Sequence, residues 1–239
     1  AQEPDVVARV YESVLARDLP PNTATAVGRR AARFLEEWFG EEAEVLLGVL
    51  DRVLALNPTA DWAFQRLTVV HTVAGRWDDL LRLYDRAIDA AEARTRKAAL
   101  LDEAANVARD FAQYPDRAID YLSRLLELRP GDAQLAASLE RLLERQERWD
   151  DLIALWRRSL DELSLDEVRA MRHQIATCYL DRLDRPGEAL KELELLIGDG
   201  PDGVKAMEQL ERIAAQDSAS SEVRRAALAL LKSRYEVEH

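Results

Sequence analysis

The chain has 239 residues, 48% hydrophobic and 33% charged, with a net charge of -12. That share of apolar side chains excludes a disordered polar chain, and the acidic balance argues against a nucleic-acid reader, which needs a basic stripe to neutralise phosphates. Cys178 is the single cysteine, so no intramolecular disulfide can form, and no run approaches the ~20 apolar residues that span a bilayer.

Alanine, leucine, glutamate and arginine dominate, and all are favourable helix formers. Apolar residues at the 3.6-residue period predict thirteen helices, roughly 5–18, 22–38, 41–56, 59–74, 77–92, 94–112, 115–128, 132–146, 148–163, 165–183, 186–197, 203–216 and 219–235. Leu135, Leu139, Leu142 and Leu143 mark one stripe, and Trp149, Leu152, Trp156, Leu160 and Leu163 mark the next. Asn57-Pro58 and Arg129-Pro130 end helices, because proline disfavours helical geometry in the residue before it. Asp61, Asp78 and Asp132 place carboxylates at helix starts, where the macrodipole favours them. Gly75, Gly131 and the run from Gly198 to Gly203 supply turns. Charges of both signs are interleaved throughout, the pattern of solvated faces with i,i+4 pairs.

An internal repeat organises these helices. The segment GRWDDLLRLYDRAIDA at 75–90 returns as ERWDDLIALWRRSLDE at 147–162, a shift of 72 residues that puts Trp77 on Trp149 and Tyr84 on Trp156. The same shift carries Leu56-Asn57-Pro58 onto Leu128-Arg129-Pro130, and a shift of 71 carries 115–128 onto 186–199. Val7, Tyr11, Val14 and Leu15 repeat the spacing of Leu80, Tyr84, Ala87 and Ile88. Each unit divides into two helix hairpins, approximately 5–76, 77–148 and 149–219 followed by a final helix. An amphipathic hairpin cannot bury its face alone, so the reading is one α-solenoid array over 1–239, all-α, with no second domain. The repeat phase assigns Tyr11, Trp77, Tyr84, Trp149 and Trp156 to the core and not to a ligand cage.

A hairpin of about 36 residues whose second helix ends at proline resembles the tetratricopeptide repeat. The match is best from about 99 to 132, where Ala118 stands at the family's small packing position, as Ala189 does later, and Tyr179 supplies the family's aromatic. Leu80 and Leu152 in the alternate hairpins, and Ala105 and Ala176 where the family has glycine, depart from it, as do several connections one residue longer than the family minimum. HEAT-like packing is the runner-up. The resemblance implies a right-handed superhelix whose first helices line a groove that binds a peptide or helix of a partner protein. The family's groove-facing phase falls here on Gln65, Val69, Asp102, Asn106, Arg109, Gln134, Arg141, Arg145, His173, Thr177 and Asp181. Their mixed polarity predicts hydrogen bonding to a peptide more than burial of an apolar helix. Arg109, Arg141 and Arg145 would suit a partner carboxylate, or else lie solvated or paired with Glu144 and Asp110.

Chemistry is not legible. There is no phosphate-cradling glycine loop and no His-Glu-x-x-His, and His71, His173 and His239 lie far apart in the chain. His173 and Cys178 lie about 140° apart around one helix, which does not make a metal pair. The turn Asp199-Gly-Pro-Asp202-Gly203 lacks the ligands of a calcium loop. The expectation is a protein-binding scaffold without catalytic residues, cofactor or metal. The alternative is a spacer or self-associating segment of a longer repeat protein. The phase of the first and last helices predicts a fragment of such a protein, and a cytoplasmic location is expected.

Overall fold

A computed structural model describes residues 3–40, 44–197, 201–217 and 219–237. Thirteen α-helices follow in order among them: α1 (Pro4–Leu15), α2 (Pro21–Phe39), α3 (Glu44–Leu56), α4 (Asp61–Val73), α5 (Trp77–Ala90), α6 (Arg94–Asn106), α7 (Pro115–Leu128), α8 (Ala133–Arg145), α9 (Trp149–Ser159), α10 (Leu165–Asp181), α11 (Pro186–Glu194), α12 (Pro201–Ala215) and α13 (Ser221–Val237). No strand occurs among the described residues. The turn expected over 198–203 and the terminal His239 lie partly or wholly outside them.

Two corrections bear on the helices. The helix expected over 94–112 is α6 followed by a π turn, Val107–Phe111, which inserts one extra residue before α7. The helix expected over 148–163 ends at Ser159, and a 3-10 turn, Leu160–Glu162, follows it. Of the three aspartates at helix starts, Asp132 is a true cap: its side chain accepts from the Leu135 N–H at 3.1 Å. Ser164 and Glu167 form a reciprocal capping box at the start of α10.

Contacts pair α2 with α3, α4 with α5, α6 with α7, α8 with α9, α10 with α11 and α12 with α13. In each hairpin the even-numbered helix is the first and the odd-numbered the second. The hairpins group into two compact units, Ala1–Pro130 and Gly131–His239. In the first unit, helices are buried over a broad sector because they are covered from both sides. Leu46, Leu47, Val49, Leu50 and Val53 of α3 are all buried, as are Leu80, Leu81, Leu83, Tyr84 and Ile88 of α5. Gly28 sets the approach of α2 to α3, since a Cβ there would stand 2.2 Å from Val53 Cγ2. The second unit is built around Ile153, Ile175, Tyr179, Leu193, Leu210 and Ala227.

The aromatic stripe is less buried than its spacing suggests. Tyr84 is buried, but Tyr11, Trp77, Trp149 and Trp156 are half-buried, the last two packed against the rim of the second core. Trp156 turns its indole N–H to Glu140 at 3.0 Å, and Trp149 lies beneath Arg182 at 4.9 Å. Leu152 and Ile153 are the fully buried residues of α9.

Charged side chains serve a purpose that helix-face spacing does not reveal. Beside the pairs within one helix, a set of bridges within each unit joins several helices to their counterparts one hairpin on. In the first unit these are Asp51 to Arg86 at 2.6 Å, Asp85 to Arg117 at 2.6 Å, Asp61 to Arg96 at 2.8 Å and Glu36 to Arg66 at 2.6 Å. In the second they are Asp150 to Arg185 at 2.6 Å, Glu192 to Arg157 at 2.7 Å and Asp181 to Arg212 at 2.5 Å. Most are half exposed, and those are worth no more than about 1 kcal/mol apiece, so their value lies in fixing register. Arginine also caps the ends of second helices. Arg52 donates to the Leu15, Ala16 and Arg17 carbonyls, and Arg94 to that of Leu128 at 2.6 Å.

Every turn inside the hairpins from α2 to α11 contains a residue in the left-handed region: Gly40, Gly75, Gln113, Glu147 and Asp184. After α4 and α8 the chain closes with Arg76 N–H to His71 O and Arg148 N–H to Leu143 O, both 2.9 Å. After α6 and α10 it closes one residue wider, with Tyr114 N–H to Ala108 O and Arg185 N–H to Tyr179 O, both 2.8 Å. The alternation of two hairpin types is thus a difference of one residue in the turn.

Gly75 (φ +64°) and Glu147 (φ +54°) occupy equivalent places. A left-handed residue with a Cβ costs about 1–2 kcal/mol, while glycine returns about 0.5–1 kcal/mol to the unfolded chain. Glu147→Gly should therefore raise the thermal midpoint slightly and Gly75→Ala should lower it. Changes of the same sign in both variants, read by calorimetry, would contradict this account of the turns.

Candidate functional site

The groove residues expected from the family phase divide between the two units. In the first unit Gln65, Val69, Asp102 and Arg109 are exposed and Asn106 is half-buried. Arg109 is committed locally, donating to both oxygens of Asp110 at 2.7 and 2.9 Å and to the Asn106 side chain at 2.8 Å. In the second unit Gln134, Arg141 and Arg145 are exposed on α8, where Arg141 reaches Ser138 Oγ at 3.3 Å.

The three α10 residues are tied to α12. His173 Nδ1 meets Gln209 Oε1 at 3.3 Å, and Gln209 Nε2 donates to Thr177 Oγ1 at 2.6 Å. Thr177 in turn donates to the His173 carbonyl at 2.8 Å, and Asp181 holds Arg212. These side chains fasten one first helix to the next.

The first helices of the first unit form a layer linked across α2, α4 and α6. Arg29 lies over the Trp62 ring at 5.2 Å and Glu36 pairs with Arg66, joining α2 to α4. Arg96 pairs with Asp61 and lies over the Phe64 ring at 5.8 Å, joining α6 to α4. Toward their C-terminal ends these helices expose large apolar side chains: Trp38 is 57% exposed, Val69 59%, Val73 73% and Phe111 62%. Rings lean on two of them, Phe34 on Trp38 at 6.1 Å and Trp77 on Phe111 at 5.9 Å. Val69 alone belongs to the set read from the sequence. Phe111 stands in the π turn, which a uniform helical phase cannot anticipate. Trp38 lies on α2, which contributes none of the residues in that set.

Buried titratable groups are structural in their surroundings. The Glu192 carboxylate is buried and receives Arg157 on Oε1 and Arg172 on Oε2, both at 2.7 Å. Cys178 is buried in the second core, which raises its thiol pKa and weakens it as a nucleophile. Burial, with Glu103 as hydrogen-bond partner, raises the Tyr84 phenol well above its ordinary range. A cavity of about 220 Å³ opens between α3, α4 and α5, and Arg86 is the only charged residue lining it. Among the described residues no cluster of His, Cys, Asp and Glu is placed to hold a metal ion. Among the described residues no helix is long and apolar enough to cross a membrane.

The tetratricopeptide repeat model matches residues 63–98. That segment carries a tetratricopeptide repeat. The matched segment takes in most of the α4/α5 hairpin and the start of α6, one hairpin before the stretch at 99–132 that looked closest by its motif, and so in the same phase. Leu80 at the family's small-residue position does not prevent the match. No curated protein matches the sequence. Among solved structures the chain is similar to YrrB, described as a tetratricopeptide-repeat protein with an unusual peptide-binding site, at 18% identity and TM-score 0.34, over 77% of this chain and 91% of that one. It is also similar to BtubC (BKLC) from P. vanneervenii, at 14% identity and TM-score 0.31, over 92% of each chain. The fold is an all-α helical repeat, and repeats of this family are scaffolds for contacts with other proteins.

His71, buried in the matched hairpin at the position that Leu143 takes one 72-residue unit later, sets a pH dependence. Its Nδ1 has no hydrogen-bond partner, and desolvation holds its pKa below 6.5, outweighing the pull of Asp79 and Asp51. The unfolded chain therefore binds the proton first as pH falls. The stability associated with neutral His71 is complete above about pH 6.5 and is lost as pH drops toward the folded pKa. Denaturant unfolding between pH 7.5 and 5 should show a smaller loss in His71→Leu than in the parent; parallel curves would count against a buried neutral imidazole.

Proposed function

We propose that this chain is a non-enzymatic scaffold that holds a segment of a partner protein on its first-helix face. The observation that carries the reading is the row of exposed apolar side chains on α2, α4 and the π turn, in a chain that is one-third charged. Burying a large apolar side chain contributes roughly 1.5–3 kcal/mol, so a few such anchors suffice for specific association. Gln65, Asp102 and Asn106 lie on the same helices as polar neighbours. In the second unit Gln134, Arg141 and Arg145 are the remaining candidates for hydrogen bonding to a partner, since His173, Thr177 and Asp181 are engaged with α12. The 72-residue sequence repeat supports reading all the hairpins as one array, and a cytoplasmic setting suits the single buried thiol.

Affinity capture with the parent chain and with the Val69→Glu/Val73→Glu double variant tests the proposal. Both substitutions fall on exposed positions, so helical content should be unchanged. Captured proteins should be retained by the parent and lost from the variant. Identical captured sets, or recovery of this chain alone, would favour the spacer or self-associating reading.

A further inference from the structure

The first-helix layer of the first unit carries charge as well as apolar surface, and the charge is localised. Helix α2 bears Arg29, Arg30 and Arg33 within five residues, all exposed. Among the described residues neither Arg30 nor Arg33 is held by a carboxylate, and Arg29 lies over the Trp62 ring. Glu36 on the same helix is taken by Arg66 of α4, which leaves Glu37 as the one carboxylate of α2 without such a partner. Further along the layer, Arg109 is matched by Asp110 and Arg96 by Asp61, while Asp102 stands exposed. An excess of positive charge therefore sits at α2, in a protein whose net charge is -12. Arg30, Phe34 and Trp38 follow one another at four-residue spacing, so the Arg30 guanidinium and the exposed Trp38 ring lie along one side of α2, with half-buried Phe34 between them.

We infer that this surface receives an acidic amphipathic helix of a partner, its apolar side chains on Trp38, Val69, Val73 and Phe111 and its carboxylates at the α2 end on Arg30 and Arg33. The assignment rests on the scaffold reading and names the chemistry of the partner. A basic helix would meet the α2 arginines as like charges. A purely polar peptide would leave about 60–70% of each exposed valine and ring uncovered, since these are 57–73% exposed in the free chain. Guanidinium forks suit carboxylates because two parallel N–H donors match two oxygens.

The test uses the full chain and three fluorescein-labelled synthetic helical peptides of equal length. One has a leucine face with glutamates at its flank, the second has the same leucine face with lysines, and the third keeps the glutamates but replaces the leucines by alanine. Fluorescence anisotropy should show the first binding at least 10-fold tighter than either other peptide. Its affinity should fall several-fold from low to moderate salt, because exposed charges are screened within about 8–10 Å. Arg30→Glu/Arg33→Glu should reverse the preference toward the lysine peptide, and Val73→Glu should weaken the acidic peptide with circular dichroism unchanged. Tighter binding of the lysine peptide by the parent overturns the charge assignment and leaves the scaffold reading standing. Binding of the acidic peptide that is indifferent to all three substitutions, or no binding of any peptide, overturns the site. Capture of a natural partner through the second unit would then show that the scaffold reading survives without it.

Discussion

Two-sided burial is the constraint on which the rest of this structure depends. A hairpin whose helices carry apolar residues over a broad sector, as α3 does with Leu46, Leu47, Val49, Leu50 and Val53, cannot cover them with its own partner helix. The next hairpin must supply the remaining wall. This explains why the sequence repeats, why Gly28 stands where α2 approaches Val53 of α3, and why the small residues Ala63 and Ala118 are fully buried. It also explains why exposed apolar side chains on the first helices are informative. A repeat protein with ample means of covering carbon leaves Trp38, Val73 and Phe111 in water.

Electrostatics supplies register where apolar packing supplies cohesion. Leucine stripes tolerate sliding, whereas a guanidinium from one hairpin on a carboxylate of the last does not. The bridges from Asp51 to Arg86 and from Asp150 to Arg185 are the same device in the two units. Arginine outnumbers lysine 29 to 4, and its planar fork suits bridges between helices and carbonyl caps such as that of Arg52. Among the described residues Arg30 and Arg33 of α2 form no such bridge, and on α8 Arg141 and Arg145 likewise have no carboxylate partner.

The period, the helix count and the pairing into hairpins were legible from sequence, because leucine and alanine spacing records which face is buried and proline records where helices stop. Phase alone could not say how deep a residue sits. Trp149 and Trp156 follow the apolar period but stop at the rim, where their edges meet Arg182 and Glu140. The left-handed turn residues were visible at Gly75 and hidden at Gln113, Glu147 and Asp184, where turn geometry overrides residue preference. The groove reading was the least complete. His173 and Thr177 look free on a helical wheel, yet Gln209, thirty-odd residues away in sequence, takes them up. The π turn shifts Phe111 out of the phase used to assign Arg109. The signal missed was the cluster Gly28-Arg-Arg-Ala-Ala-Arg33, a basic run with glycine packing beneath it.

The central claim is that recognition uses the first-helix face of the hairpins and leaves the second helices untouched. Hydrogen exchange with mass spectrometry on the full chain, with and without a captured partner, reads this directly. The account predicts added protection at the C-terminal halves of α2 and α4 and through the π turn at 107–111, with α3, α5 and α7 exchanging as in the free protein. Protection concentrated on α3, α5 and α7, with the first helices unchanged, would contradict it.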